Sequence, residues 1–237
     1  MLVAENQVLK LDYDAQEFDF RAHFEAHLKR LLGVEAGELA ALHAHIDAGL
    51  LPENVVTTAD DQAQRIYELL YQIDPAYDLE KSAGTGAFLQ LYERFIKMLA
   101  ADVFETPLVY QAKPTLRVMF PDNKAVGDWH RDRDYNHPME EINLWIPITR
   151  AFQTNTIWIE TAFDKGDYRP VEVDYGQMIV FDSGLRHGNV LNEEGATRIS
   201  FDFRVIPAHL FKEDGKRSVT QGKQFIDGDY YKTLEGI

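Results

Sequence analysis

The sequence predicts a mainly β protein with an N-terminal helical block, an α+β chain whose second half closes into an antiparallel sandwich or barrel. Three observations predict it. Apolar side chains recur at three- and four-residue steps from about residue 14 to 103, then switch to a period of two from Thr106 onward. Short β-branched and aromatic runs in the second half are separated by PDNK, DKGD and NEEG, segments that carry turn chemistry. A content of 45% hydrophobic and 12% aromatic residues over 237 positions can fill one large core. A single domain over 1–237 is therefore expected, with a helical part at 1–105, a β core at 106–207, and a C-terminal tail or lid at 208–237.

In the helical half, Phe20, Phe24, Leu28 and Leu31 form one stripe, and Leu39, Leu42 and Ile46 a second. Ala63, Ile66, Leu69, Leu70 and Ile73 make a third, with Thr58 as its N-cap and Asp61 near its positive end. The fourth runs through Phe88, Leu91, Tyr92, Phe95 and Leu99. One-sided stripes need a partner, and the second half supplies it. Other features of this half read as ordinary. His23 and His27 stand four apart, but HFEAH lacks the Glu directly after the first His that a zinc-protease helix needs. His43 and His45 cannot face each other on a helix and read as surface residues. Gly84 and Gly86 lie in SAGTGA, with no Gly-Lys-Ser/Thr after them, and read as a helix start or kink.

Strands are predicted at 108–112, 115–120, 142–149, 156–161, 177–181 and 197–206. Among antiparallel architectures with this many short strands, a jelly roll fits best. In the last strand Ile199, Phe201, Phe203 and Val205 share one face, and Arg198, Ser200, Asp202 and Arg204 the other. A solvent-facing surface would account for Asp202 and Arg204. It accounts poorly for the face of Asn143, Trp145 and Pro147, because an exposed Trp is uncommon, whereas a polar-lined interior holding a charged ligand explains both faces.

The formal charge of −15, from 24 basic and 39 acidic residues, argues against nucleic acid or an anionic membrane surface as a partner. Without cysteine there is no disulfide framework and no thiolate chemistry. The start MLVAENQVLKLDYDAQ has neither a basic nor an apolar leader region, and no apolar run approaches membrane-spanning length. A soluble cytoplasmic protein acting on a small molecule is expected, its oligomeric state left open.

The chemistry concentrates in GDWHRDRDYNHPMEEINLWIPIT, from Gly127 to Thr149. His130 and Asp132 are two apart, so in an extended segment both side chains leave the same face. Downstream, FDSGLRHGNVLNEEGATRISFDFRV adds His187 and then Arg198 and Ser200. Two imidazoles and one carboxylate on one side of a metal form the facial triad typical of non-heme Fe(II) oxygenases. A guanidinium forks onto a carboxylate, and a hydroxyl two residues away on the same strand face can add a third bond. That pair suits the distal carboxylate of a keto-diacid.

With VGDWHRDRDY, EINLWIPIT, NTIWIE and HGNVLNEEGATRISFDFRV, the run from Leu116 through Val205 resembles the Fe(II)/2-oxoglutarate-dependent dioxygenases. Within them it is similar to the phytanoyl-CoA hydroxylase group and its small branch named for streptomycin biosynthesis. The resemblance covers roughly the C-terminal half. It implies a double-stranded β-helix, cupin-like, with His130, Asp132 and His187 as iron ligands, Arg198 helped by Ser200 on 2-oxoglutarate, and Trp145 lining the cosubstrate pocket. The implied reaction consumes 2-oxoglutarate and O2, releases succinate and CO2, and by default hydroxylates an unactivated C–H bond. Related halogenases carry Gly or Ala where this chain has Asp132, so halogenation is not expected.

Candidate substrate contacts are Arg117, Arg133, Tyr135 and His137; Arg131 would point away if His130 and Asp132 point inward. These cations would suit a polar or anionic metabolite such as an amino acid, sugar or cyclitol derivative. The alternatives are a metal-dependent cupin-type isomerase or hydrolase, which would have no use for the Arg-x-Ser pair, and a non-catalytic binding barrel, which would not need the intact triad.

Overall fold

The computed structural model describes residues 7–32, 38–44, 87–124, 129–213, 215–219 and 222–234, with backbone only over 27–32. Among the described residues, ten strands and two α-helices are laid down in the order β1 (Val8–Asp12), α1 (Phe20–Leu32), α2 (Ala87–Met98), β2 (Leu108–Gln111), β3 (Thr115–Met119), β4 (Ile142–Pro147), β5 (Trp158–Ile159), β6 (Arg169–Pro170), β7 (Gln177–Asp182), β8 (His187–Gly188), β9 (Arg198–Pro207) and β10 (Tyr231–Thr233). A π-helical turn, Leu99–Val103, extends α2. The large sheet runs β1-β7-β4-β9-β2-β10, with β3 also paired to β9, and the small sheet runs β6-β5-β8. Every pairing between these strands is antiparallel.

β9 is the axis of the large sheet. Its ten residues are buried throughout. One edge pairs with β4, while the other takes β3 along Arg198–Asp202 and β2 along Val205–Pro207. Alternation then divides the sheet into two chemical faces. Ile199, Phe201, Phe203 and Val205 join Leu144, Ile146, Met178 and Val180 in one apolar layer. The helices cover that layer: Phe201 meets Phe20 at 4.9 Å and Phe88 at 5.7 Å, and Phe203 meets Tyr92 at 5.0 Å. Burying each such side chain stabilises by roughly 1.5–3 kcal/mol. The opposite face carries Trp145, Ile179 and Phe181, which pack on Ile159 of the small sheet. Between the two sheets lies the polar site.

The fourth predicted helix matches α2 and the first matches α1. Of the second, the described residues show a 3-10 turn over Leu39–Ala41 and a helical Ala44, and Ile46 lies outside them. The third helix with its Thr58 cap, the Gly84/Gly86 run and His45 lie outside the described residues. His43 is not the surface residue expected. Its backbone N donates to Thr197 Oγ1 at 3.2 Å, its Nδ1 lies 2.8 Å from the same hydroxyl, and Thr197 N donates to Ala40 O at 2.7 Å. The segment is thereby pinned to the start of β9.

The strand predicted at 156–161 narrows to Trp158–Ile159. Two further strands lie at the sheet's edges, where the sequence pattern is shortest. β1 pairs with β7 from Val8↔Phe181 to Asp12↔Gln177, with Leu9 and Leu11 against the apolar layer and Val8 against the Trp145 cluster. β10 belongs to the tail. It pairs with β2, and Phe225, Tyr230 and Tyr231 are buried with Val109 and Ile206, so residues 222–234 are packed structure. Among the described residues, no helix is long and apolar enough to cross a membrane.

Candidate metal centre

Arg131 has extended backbone, φ −109° and ψ 145°. His130 and Asp132 therefore project to one side, and Arg131 turns the other way to pair with Asp164. Asp132 then opens a 3-10 turn that ends at Asn136 in the left-handed region, φ 70°. The second histidine is brought alongside by backbone pairing. His130 N donates to His187 O at 3.0 Å, and His187 N donates to His130 O at 2.9 Å. Across that reciprocal pair the imidazole centroids are 4.5 Å apart. Asp132 Oδ1 lies 3.4 Å from His130 Nε2 and 3.7 Å from His187 Nε2.

These donors fit a metal ion. Neighbouring ligands on an octahedral ion with bonds of ~2.1 Å stand about 3 Å apart, close to the separations found. His187 Nδ1 is 3.0 Å from the carbonyl of Leu185, so Nδ1 carries the proton and Nε2 offers its lone pair to the centre. Burial pushes the His187 imidazolium down to about 4, which keeps the ring neutral at pH 7. For Asp132, burial alone would raise the carboxyl. Arg204, His130 and His187 outweigh it and hold the group well below the usual carboxylate range. Two imidazoles and one ionised carboxylate are a donor set for a divalent transition metal.

The polar face of β9 faces this site rather than solvent. Asp202 and Arg204 are both buried, which overturns the solvent-facing reading. Arg204 Nε donates to Asp132 Oδ2 at 3.1 Å, while its Nη1 donates to Asp202 Oδ2 at 2.8 Å and to Gln111 Oε1 at 3.3 Å. Asn143, opposite Arg204 in the strand register, donates from Nδ2 to Asp132 Oδ2 at 2.8 Å.

Arg198 is different in kind. It is 1% exposed, and among the described residues its guanidinium hydrogen-bonds Asn189 Oδ1 at 3.4 Å and Met119 Sδ at 3.8 Å. Its Nε and the Ser200 hydroxyl have no hydrogen-bond partner among the described residues. Burial, with Arg117 nearby, lowers its pKa to about 9. The Trp145 ring centroid stands 5.6 Å from its guanidinium carbon.

Of the other predicted contacts, Arg117 faces Ser200 in the register and is tied to Asp202 at 2.6 Å. Arg133 reaches away to Asp182 at 2.8 Å, and a Cβ on Gly184 would sit 2.7 Å from its guanidinium carbon. Only glycine there leaves room for the pair. The cations that favoured an anionic substrate are thus already matched by carboxylates. Tyr135 stands edge-on to His130 at 5.2 Å. His137 Nδ1 lies 2.8 Å from Glu141 Oε2, whose other oxygen accepts from the Tyr231 hydroxyl of β10. Asp132, His137 and Glu141 could also group around a cation, but Glu141 is already engaged on both oxygens.

The sequence reading did not single out Asn189, Arg204, Glu141 or Tyr231 as site groups, and gave Asn143 no role. Asn189 carried a usable signal, since it follows His187 by two and shares its face.

Comparison with known proteins supplies the context. No protein-family model matches the chain. Over 146 residues it is 40% identical to the streptomycin biosynthesis protein StrG of Streptomyces griseus, covering 61% of this chain and 69% of StrG. The chain belongs to the StrG family. Among solved structures, a non-heme monooxygenase, the ThoJ–nickel complex, superposes with a TM-score of 0.50 at 14% identity, over 78% of this chain and 83% of that one. At that identity the likeness concerns the fold. AviO1 from Streptomyces viridochromogenes Tue57 matches at 25% identity over 51% of this chain and 61% of its own, with a TM-score of 0.40.

Proposed function

We propose that this member of the StrG family is a non-heme Fe(II)/2-oxoglutarate-dependent dioxygenase that hydroxylates an unactivated C–H bond of a small polar metabolite. The observation that carries the reading is Arg198. A fully buried guanidinium without a carboxylate partner among the described residues, beside an unpartnered hydroxyl, is a receptor for a carboxylate. Asn189, which touches it, follows the triad's His187 by two residues. The two facing sheets support the double-stranded β-helix form.

In this reading His130, Asp132 and His187 hold the iron. Arg198 and Ser200 take the distal carboxylate of 2-oxoglutarate, and Trp145 forms the wall beside it. With 2-oxoglutarate and O2, the bound iron supplies the oxidising power for the C–H bond, and succinate and CO2 are the co-products. The chain's own part is orientation. Asp132 stays ionised under Arg204, Leu185 fixes the His187 tautomer, and Phe181, packed against His187 at 5.1 Å, keeps an apolar wall on the ligand set. Tyr135 and His137 remain the substrate-side candidates. The name of the S. griseus relative supports a substrate in natural-product biosynthesis, such as an amino acid, sugar or cyclitol derivative.

The test is anaerobic addition of Fe(II) and then 2-oxoglutarate to the metal-free protein. A weak visible charge-transfer band that saturates is expected. It should vanish in His187→Ala and need far more 2-oxoglutarate in Arg198→Ala. Iron binding without a band in the wild-type protein would remove the oxygenase reading and favour a metal-dependent isomerase or hydrolase.

A further inference from the structure

We infer that Arg204 is a positioning residue for the metal: with Asn143 it holds Asp132 to a single metal-facing oxygen and so keeps one coordination position free. The inference rests on the oxygenase reading above and deepens it. Carboxylates bind metal ions through one oxygen or through both. In the facial triad, two imidazoles and one carboxylate oxygen leave three positions open. A keto acid chelating through two atoms uses two of them, and O2 needs the third. An aspartate binding through both oxygens would close that third position.

Asp132 is built against that outcome. Its Oδ2 already accepts two hydrogen bonds, from Asn143 Nδ2 at 2.8 Å and Arg204 Nε at 3.1 Å. Its Oδ1 alone faces the two imidazoles. Swinging Oδ2 onto a metal would abandon both bonds in a site that is 2% exposed. The donors are fixed as well. Asn143 and Arg204 are register partners on β4 and β9, so they converge on Asp132 from neighbouring strands. Arg204 is braced in turn by Gln111 of β2 and by Asp202, whose other oxygen is held by Arg117 of β3 at 2.6 Å. Four strands of one sheet thus determine which oxygen of Asp132 is available.

An ordinary structural ion pair would predict only a loss of stability when Arg204 is changed. A positioning role predicts a defect in cosubstrate chelation that stability does not explain. The experiment is anaerobic titration of 2-oxoglutarate into Fe(II)-loaded full-length protein, read by the charge-transfer band, with Co(II) absorption as a second report on ligand number. In Arg204→Gln the metal is expected to stay bound, the Co(II) spectrum to change, and half-saturation to require about tenfold more 2-oxoglutarate. Asn143→Ala removes the other donor without stranding a buried charge. It should shift the same way, and it carries the test if Arg204→Gln does not fold. Phe201→Leu, a destabilising change on the opposite face of β9, should leave the titration unchanged. Wild-type half-saturation in either site variant, or an equal shift in Phe201→Leu, overturns the inference. A wild-type protein that binds iron but gives no band overturns the oxygenase reading and this inference with it.

Discussion

Arg198 is costly to keep buried without a countercharge. In the ligand-free protein Arg198→Met is therefore expected to raise stability, by about 1 kcal/mol or more, while abolishing the response to 2-oxoglutarate; a lower melting temperature would contradict this. Ser200→Ala removes a hydroxyl that bonds nothing among the described residues. Melting should barely move, and 2-oxoglutarate affinity should fall about tenfold, the loss of one bond to a charged group. His187 sets a pH dependence. Burial holds its folded value at about 4 against 6.5 for the free side chain, so between these values the unfolded chain takes up a proton that the folded protein refuses. The metal-free protein should lose about 3 kcal/mol as pH falls through that window. Asp132 stays out of it, because its carboxyl already lies below 3.8. Urea unfolding at pH 7 and 4.5 measures the difference, and equal midpoints would count against it. The shared sides of His130 with Asp132 and of Arg198 with Ser200 were legible, because two-residue spacing in extended backbone decides the face. Arg204 and Asn143 were not, because their roles depend on which residue stands opposite on a neighbouring strand.

At the scale of elements, β9 and α2 were readable from strong, long periodicity, and β1 and β10 were not. An edge strand buries only one or two side chains on the core, too few to establish a period. β10 illustrates what such a strand can still do. Its Tyr231 donates to the buried Glu141, which also orients His137 beside Asp132. Tyr231→Phe leaves a buried carboxylate oxygen short of a donor and should cost about 1–3 kcal/mol, seen as a drop of roughly 2–4 °C per kcal/mol in thermal melting. On the other side of the sheet, Phe201 is wedged between Phe20 and Phe88. Phe201→Ala should cost about 3–5 kcal/mol and loosen the helices from β9, visible as faster amide exchange in α1 and α2.

For the whole molecule, the switch from helical to two-residue period announced the division of labour between halves, and the structure places the helices on the apolar face of the sheet. What no local pattern announced was that residues 130 and 187 would lie side by side. That pairing closes a long stretch of chain, so the proposed metal site exists only in the folded state, and ligands should stabilise the fold. Fe(II) with 2-oxoglutarate at about a hundred times its dissociation constant should add about 2.7 kcal/mol, or roughly 5–10 °C in melting; no shift would argue against a preformed site.

The two-faced β9 has one more consequence. A strand that slipped by a single residue would send Phe201 and Phe203 into the polar site and Arg204 and Asp202 into the aromatic layer. Both outcomes are prohibitive, so no near-native register competes with the correct one. The same alternation that separates adhesion from chemistry thus widens the gap between the native fold and its nearest misfolded rivals.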